Sequence, residues 1–469
     1  MKPVFFTLAA LTALTGCAVG PNYKRPQVAA PTAYRGAVAE QTASGSSASL
    51  ADTKWENLFP DPALNDIVSA ALRQNFDLRV AAERVEQARA QLGINRANQF
   101  PFLDIGAGFS SVRNSSVGAN VFVPRGTDLS ASFTEAGAQL SWELDVWGRL
   151  RRLTESARAQ YLATEEGRRA ITVSLISEVM STYFLLLEQD LELAISRKTR
   201  DVAENSLKLV RLRRDRGAAS GLDVRQAEQL LYTATAQIAA VERNIAQTEN
   251  ALSLLQGNAP SAQVRGRRLE QIQVPDQLPA GIPSSLLERR PDIRAAEQNL
   301  IAANAQIGAA KALYFPQISL TAFAGGQSRS LLDIVTAPAR VYSFAPSALL
   351  PIFRAGQIRS QVRLTEAQQR ELLVRYQQTI FTGFREVSDA LAEFDGTRKQ
   401  RAEQTQLVRA LTETVELSEA RYKGGLDSYL QVLDAQRNLF AGELTLAQLQ
   451  LRERSAVVQL YRALGGGWQ

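Results

Sequence analysis

The residue with the clearest chemistry in this 469-residue chain is its single cysteine, Cys17. It ends the run Leu14-Thr15-Gly16-Cys17, which follows a short basic start and an apolar stretch too brief to span a bilayer. This pattern is typical of a secretory signal that ends in a bacterial lipobox, whose thiol is acylated and becomes the mature N-terminus. The sequence therefore predicts a signal peptide over residues 1–16 and a covalent lipid on Cys17. The alternative is an ordinary signal peptide with an incidental cysteine.

Other side chains that carry out chemistry are scarce. His is absent and there are only two Met residues, so metal ligation by imidazole or thioether is almost excluded. Glu288 to Asp292 mixes acids and bases, but Pro291 and Asp292 at a helix start are a sufficient explanation for that run. The 53 basic and 47 acidic residues are interspersed, which does not favour nucleic-acid binding. We expect no enzymatic activity, no metal site and no cofactor beyond the lipid.

Elements that could position a site occur twice along the chain. Residues 90–101 return as residues 305–316, with identical Ala, Gln, Gly, Ala and Phe-Pro at equivalent places. Further on, residues 217–220 align with residues 424–427. A duplication of this length predicts an internal two-fold repeat, with each architectural element present in both halves.

Proline spacing predicts very long helices. No proline lies between Pro124 and Pro260 or after Pro351, and an interior proline would cost a helix roughly 3 kcal/mol. The expected long helices are 149–216 and 355–423, each about 100 Å long, the returning helices are 222–256 and 428–464, and shorter helices are expected at 61–98 and 283–313. Apolar residues at spacings of three and four indicate two antiparallel coiled-coil hairpins. No segment after the signal is expected to form a transmembrane helix.

Four segments instead alternate between apolar and polar residues. The expected apolar faces are Leu103, Ile105, Ala107 and Phe109; Ala136, Ala138, Leu140, Trp142 and Leu144; Ile318, Leu320, Ala322 and Ala324; and Tyr342, Phe344, Ala348 and Leu350. Such segments, about ten residues long, are typical of strands in an outer-membrane barrel. Four strands cannot enclose a lumen, and an open sheet would leave bare edges in lipid. We therefore expect several copies to share one barrel.

Several motifs resemble those of a known family. They are the lipobox followed by Gly20-Pro-Asn-Tyr-Lys-Arg-Pro26, the Phe-Pro that opens each strand pair, Trp142-Glu-Leu-Asp-Val-Trp-Gly-Arg149, Glu288-Arg-Arg-Pro-Asp-Ile-Arg294, Ala420-Arg-Tyr-Lys-Gly-Gly-Leu-Asp-Ser-Tyr-Leu430 and Leu433-Asp-Ala-Gln436. In this order they resemble the TolC-type outer-membrane efflux channels, in particular the lipoprotein subset that includes OprM and NodT-like proteins. The resemblance covers essentially the whole mature chain.

The resemblance implies a mixed α and β fold and a homotrimer. Three protomers would share a 12-stranded outer-membrane β-barrel, four strands each, that continues into a long periplasmic α-helical barrel. The implied domains are a lipidated extended tail over 17–60 and a channel over 61–469, with repeats at 61–256 and 283–464, strand hairpins at 101–148 and 314–352 and an equatorial linker at 257–282.

The implied function is that of a passive exit duct in the outer membrane of a Gram-negative bacterium. Such ducts contact outer-membrane lipids, a periplasmic adaptor (membrane fusion protein) and an inner-membrane pump, commonly of the resistance-nodulation-division type. The sequence does not separate drug efflux from metal-ion efflux. The rival hypothesis is a lipid-anchored coiled-coil scaffold or adaptor without its own pore, but an adaptor would not need the four strands with apolar faces.

The resemblance also suggests a periplasmic gate formed by Arg421, Tyr422, Lys423, Asp427 and Asp434. In a trimer, three copies of Asp427 or Asp434 would converge as a carboxylate constriction, and the other three residues would bond neighbouring helices. Family members can carry arginine where this chain has Lys423, which makes only a point-charge contact. The alternative for Asp427 is simple capping of the following helix.

The turns between the long helices are expected to contact the adaptor. Their residues are Gly217, Ser220, Asp223, Gly424 and Gly425. Glycines suit the end of a helix, and Ser220 with Asp223 fits a capping box. The basic cluster at 211–216 is expected to be a solvated face or an adaptor contact.

Overall fold

The computed structural model describes residues 18–35, 49–113, 115, 130–275 and 278–467. Cys17 and the signal peptide lie outside the described residues. The chain divides into two compact units. The first contains the segments ending at Pro26, Glu86–Ala163 and Glu297–Arg375, and the second contains Gln27–Val85, Thr164–Ala296 and the segment from Tyr376 onward.

After α1, one order of five elements, helix, two strands and two helices, occurs twice along the chain. The elements are α1 (Pro62–Gln74), α2 (Phe76–Ala97), β1 (Phe102–Arg113), β2 (Ser130–Leu144), α3 (Arg149–Asp215), α4 (Gly221–Leu255), α5 (Pro291–Ala312), β3 (Gln317–Ser328), β4 (Arg340–Leu349), α6 (Gln357–Lys423) and α7 (Tyr429–Ala463). Helices α2 and α5 each have 22 residues, α3 and α6 have 67, and α4 and α7 have 35. The predicted long helices, returning helices and strands are thus confirmed.

The predicted shorter helices are wrong in one respect, because each is interrupted. Asn75 separates α1 from α2, since its side chain accepts a hydrogen bond from the Leu78 amide at 3.0 Å and so begins a new helix. In the second half, the short helix Leu286–Arg289 ends before α5 begins, because Arg290 between them is extended where Pro291 follows it. The tail over 17–60 is also not wholly extended, since short helical turns occur at Leu50–Asp52 and Trp55–Leu58.

In the first unit, the four strands form one antiparallel sheet in the order β1-β2-β3-β4. Pairing places the predicted apolar residues on one face, as in the row Leu103, Leu140, Ala322 and Phe344 and the row Ile105, Ala138, Ala324 and Tyr342. Leu350 is the exception, since β4 ends at Leu349. The adjacent row, Asp104, Gln139, Phe323 and Ser343, lies on the opposite face. Alternation in the sequence therefore gives one apolar and one mainly polar face.

The junction from β2 to α3 is fixed by an aromatic residue and a glycine. The Trp147 ring stacks on Phe315 with centroids 4.8 Å apart, and its Nε1 donates to the Pro316 carbonyl at 2.8 Å. Gly148 has φ 79°, and a Cβ there would lie 2.7 Å from that of Ala18. Glycine is thus required by both backbone conformation and close packing.

The start of the tail docks closely onto the first unit. Arg152 donates to the Val19 carbonyl at 3.3 Å and to the Asn22 side chain at 2.8 Å, and Asn304 donates to the Pro21 carbonyl at 2.9 Å. A Cβ added at Gly20 would lie 2.4 Å from the Gly308 Cα. The segment Ala18–Pro26 is therefore held against α3 and α5 rather than loosely tethered.

In the second unit, the long helices pair with their returning helices in antiparallel directions. Arg197 of α3 donates to Glu242 of α4 at 2.8 Å, and Gln404 of α6 donates to the Gly442 carbonyl of α7 at 3.0 Å. The predicted apolar spacing matches the core in the middle of the long helices, where Ile176, Val179, Tyr183, Leu186, Ile380, Phe384, Val387, Leu391 and Phe394 are all buried. Further along the same pattern, Leu193, Val408, Leu411 and Val415 are only partly buried. The two helical hairpins follow from this pattern.

A stretch within helix α3 is long and apolar enough to cross a membrane by length and composition alone. Of that stretch, 56 % is buried inside the chain. Core helices pass the same test, and Ile176, Val179 and Tyr183 point into the core of the second unit. We therefore assign this stretch to the core.

We expect Glu188 of α3 to make stability dependent on pH. Its side chain is 5 % exposed, and burial, with a smaller contribution from Glu192, raises the pKa of its carboxyl to about 7. A raised carboxyl pKa means that the folded state holds a proton which the unfolded state releases, so stability falls as pH rises from about 4.5 to 7. Glu188→Gln should therefore stabilise the protein above pH 7, by on the order of 3 kcal/mol, and do little at pH 4.5.

Thermal unfolding followed by circular dichroism at pH 4.5 and pH 8 would measure this difference. Glu178→Gln is the matched control, because Glu178 is exposed on the same helix. An equal effect of Glu188→Gln at both pH values would contradict the assignment.

Candidate functional site at the helical tips

The two turns that connect the long helices to the returning helices share one hydrogen-bond pattern. In the first, Gly217 has φ 78°, and the Ala218 amide donates to the Arg213 carbonyl at 2.8 Å. In the second, Gly425 has φ 78°, and the Leu426 amide donates to the Arg421 carbonyl at 3.0 Å. Both turns therefore end a 67-residue helix with a left-handed glycine.

The N-caps correct the alignment made from sequence. Ser220 caps α4 in a complete capping box with Asp223, as predicted. The N-cap of α7 is Ser428, whose side chain makes no capping hydrogen bond. Ser220 thus corresponds to Ser428 rather than Asp427, and Gly217 to Gly425 rather than Gly424. The hypothesis that Asp427 is a helix cap is wrong.

Asp427 instead forms an ion pair with Arg421. The Arg421 Nε and Nη2 donate to the two carboxylate oxygens at 2.5 and 3.1 Å. This bidentate geometry is the strong form of the interaction. The hydrogen-bonded guanidinium holds the pKa of the Asp427 carboxyl below its usual range. The pair connects the last turn of α6 to the loop that follows it.

Tyr422 lies in an apolar cluster to which both hairpins contribute. Its ring is buried and packs against Tyr429 with centroids 5.5 Å apart, in an edge-on arrangement. Other buried members of the cluster are Ala203, Leu207, Val210, Val224, Ala227, Leu230, Val432 and Leu433. From α3, Arg213 lies over the Tyr422 ring, 4.4 Å from its centroid, and donates to the Tyr422 carbonyl at 3.1 Å. Burial raises the pKa of Tyr429 to about 12.

Lys423 and Asp434 lie apart from this cluster. Lys423 is exposed, and its Nζ is 3.4 Å from a carboxylate oxygen of Glu419 on the same helix. Asp434 is also exposed and accepts a hydrogen bond from the Asn438 side chain at 3.2 Å. Neither contact joins two helices of the chain.

The structure thus brings some predicted gate residues together and separates others. Arg421 pairs with Asp427, and Tyr422 connects the two hairpins, whereas Lys423 and Asp434 make local contacts. Sequence reasoning placed Arg213 only in a solvated or adaptor-binding cluster and therefore missed its contact with Tyr422. One signal was available, because Arg213 and Arg421 each lie two residues before the end of a 67-residue helix.

The described residues contain no group of three or more His, Cys, Asp or Glu side chains that could hold a metal ion. Asp427 is bound by Arg421, so that carboxylate already has a cationic partner. The contacts described at the tip are therefore hydrogen bonds and ion pairs, some within one turn and some, such as that of Arg213 with Tyr422, between hairpins.

Comparisons with known proteins agree with these features. The family model described as outer membrane efflux protein matches residues 67–258 and 282–466. The chain is 40% identical to the solvent efflux pump outer membrane protein SrpC of Pseudomonas putida, over 100% of this chain and 99% of that protein. The outer membrane protein OprJ of Pseudomonas aeruginosa is 37% identical, over 100% and 97% respectively.

A solved structure, the open state of the MtrE outer membrane channel of Neisseria gonorrhoeae, is 32% identical. It superimposes with a TM-score of 0.85 over 97% of this chain and 99% of that chain. The sheet and the helical hairpins agree with these matches, which are all to outer-membrane proteins. The chain belongs to the outer membrane efflux protein family.

Proposed function

We propose that this protein is the outer-membrane exit duct of a tripartite efflux system, a passive conduit that works as a homotrimer. The observation that carries the proposal is the four-stranded sheet. It has one continuous apolar face, and among the described residues the outer edges of β1 and β4 have no partner strand. Ile105 and Tyr342 on that face are each 88% exposed in the single chain. Lipid is the surrounding that suits such a face.

The free edges of the sheet argue for shared closure. In the described residues, β1 pairs only with β2 and β4 only with β3. Unpaired backbone groups are not tolerated in the hydrocarbon core, so each edge requires a strand from another copy. Four strands are too few to enclose a lumen, whereas three copies give the twelve strands that the family resemblance implies. The same argument disfavours the alternative of a scaffold or adaptor without a pore.

We propose further that the chain is anchored by a lipid on Cys17 after removal of residues 1–16. The contacts of Arg152 with Val19 and Asn22 support this placement, because they hold the next residues beside the strand-to-helix junction. Trp147 at that junction suits the membrane interface. We also propose the domain limits predicted from sequence, with a tail over 17–60 and a channel over 61–469 that contains the two repeats.

For the gate, we propose that Arg421, Tyr422, Lys423, Asp427 and Asp434 restrict the periplasmic end until the partners engage. The ion pair of Arg421 with Asp427 and the cluster around Tyr422 support this role. Adaptor contact is proposed for the turns at Gly217–Asp223 and Gly424–Gly425. Leu222, Leu426 and Leu430 support it, because these apolar side chains are exposed at the turns.

Solvent efflux in the name of SrpC suggests organic solvents as the exported class. The inner-membrane partner we propose is a pump of the resistance-nodulation-division type, joined through a periplasmic adaptor. No cofactor is proposed beyond the lipid.

Cysteine cross-linking would test the shared barrel. Ile105→Cys on β1 would be combined with a cysteine at each of the positions 340–349 of β4 in turn, in membranes oxidised under mild conditions. The mature chain has no other cysteine than the lipidated one. We expect covalent trimers for the positions that face Ile105 across the interface, and none for Ile105→Cys alone. Absence of cross-links at every position would overturn the shared barrel.

A further inference from the structure

We propose that Arg213 is a further residue of the closed gate and that it acts by holding Tyr422 across the two helical hairpins. This inference rests on the proposed gate at the tip. Arg213 belongs to the last turn of α3, whereas Tyr422 belongs to the last turn of α6. A contact between them therefore joins the first hairpin to the second where the helices end.

Two independent contacts define this role. The Arg213 Nη1 donates to the Tyr422 carbonyl at 3.1 Å, and the guanidinium lies 4.4 Å from the centroid of the Tyr422 ring. The carbonyl is one of the last four of α6 and also accepts a hydrogen bond from the Gly425 amide of the turn at 3.0 Å, so the arginine adds a second donor to it. A cation at this end of a helix also interacts favourably with the helix dipole. Arginine serves all three purposes because it is planar, charged and rich in donors.

The tyrosine hydroxyl does not take part in this contact. Tyr422 is 8% exposed, and its hydroxyl has no hydrogen-bond partner among the described residues. Tyr422 is thus held by its carbonyl and its ring face. The ring packs edge-on against Tyr429 on the side of the returning helix α7.

The ion pair of Arg421 with Asp427 cannot supply the same restraint. Both residues lie in the second hairpin, six positions apart, so their bond stiffens one turn without joining it to the first hairpin. Other contacts between hairpins are weaker or more distant from the turn. Gln436 reaches Ser206 at 3.4 Å, and Lys198 reaches Glu443 at 3.0 Å further along the helices. Among the described residues, Arg213 therefore makes a charged contact between the hairpins right at the tip.

Single-channel recordings in planar bilayers would test this role, with Arg213→Gln, Arg213→Lys and Tyr422→Phe compared with wild type. For Arg213→Gln we expect the ratio of open to closed time to rise about fivefold, the change in an equilibrium that loss of one contact of this kind produces. For Arg213→Lys we expect a ratio of open to closed time between those of wild type and Arg213→Gln, because lysine keeps the charge but loses the planar stacking. Tyr422→Phe should equal wild type, because it keeps both the ring and the carbonyl.

The controls separate this inference from the function on which it rests. Absence of currents from wild-type trimers would overturn the proposed duct, and with it this inference. If the open probability of Arg421→Ala exceeds that of wild type while that of Arg213→Gln equals it, only the role of Arg213 is wrong. Opening by Tyr422→Phe to the same extent as by Arg213→Gln would show that the hydroxyl carries the restraint. The thermal stability of each trimer would be measured in parallel with the currents. If Arg213→Gln does not assemble, the currents of Arg213→Lys test the role of Arg213 instead.

Discussion

Loss of the ion pair between Arg421 and Asp427 is expected to open the channel in the absence of its partners. In Arg421→Ala and in Asp427→Ala, the last turn of α6 loses a bidentate contact, and in a trimer it does so three times. We expect the open probability in planar bilayers to rise on the order of tenfold, within the range that coupled two-state equilibria span. Single-channel recording at constant salt measures it.

Asp434→Ala is the matched comparison, because Asp434 is exposed and contacts only Asn438 among the described residues. A rise in open probability with Arg421→Ala and Asp427→Ala, but not with Asp434→Ala, would place the gate at the ion pair. If only Asp434→Ala opens the channel, the constriction is formed by that carboxylate. No change in any variant would reduce these residues to structural roles.

The pH dependence of the gate follows from the same pair. The pKa of the Asp427 carboxyl is lowered in the folded state. The carboxylate therefore stays ionised, and the ion pair stays formed, at every pH above that lowered pKa, and the pair is lost only as the pH falls through it. Wild-type recordings should therefore be unchanged between pH 8 and pH 5. A rise in conductance within this window would indicate that another group controls the gate.

The second large effect is expected on the apolar face of the sheet. Ile105→Lys places a charge where we propose lipid, which costs roughly 2–4 kcal/mol near the midplane of the bilayer and less toward the interfaces. Since three copies would each carry the change, we expect the assembled outer-membrane trimer to be lost. Membrane fractionation followed by electrophoresis without heating would measure the amount of trimer.

Asp104→Lys is the control, because Asp104 is the neighbouring residue on the opposite face of β1. It should assemble like wild type, since a lysine there faces the polar side. Equal loss of trimer in both variants would contradict the assignment of the two faces. Normal assembly of Ile105→Lys would remove the main support for the membrane-spanning sheet.

Much of the fold could be predicted from sequence because its patterns are long and regular. The proline-free tracts predicted α3 and α6, whose bounds agree with prediction to within about two residues, the usual uncertainty at helix ends. Alternation predicted the shared face of the four strands. The break at Asn75 was missed, because a local capping bond there competes with continuation of the helix.

The tip could be predicted only in part. Gly424 and Gly425 are adjacent, and the sequence does not tell which of them adopts the left-handed conformation, so the alignment with the first turn was shifted by one residue. The contact of Arg213 with Tyr422 joins residues 209 positions apart. It depends on how the two hairpins pack, which no local pattern specifies.

The docked segment Ala18–Pro26 has a consequence for the order of folding. Its contacts join residues separated by 130 positions, to Arg152, and by 283 positions, to Asn304. Contacts over such distances form late, because much of the chain must be ordered before they can close. The first part of the mature chain to be synthesised is therefore expected to be among the last to be fixed. A lipid on Cys17 would hold the chain at a membrane throughout that interval, so attachment would precede the folding that later fixes its position.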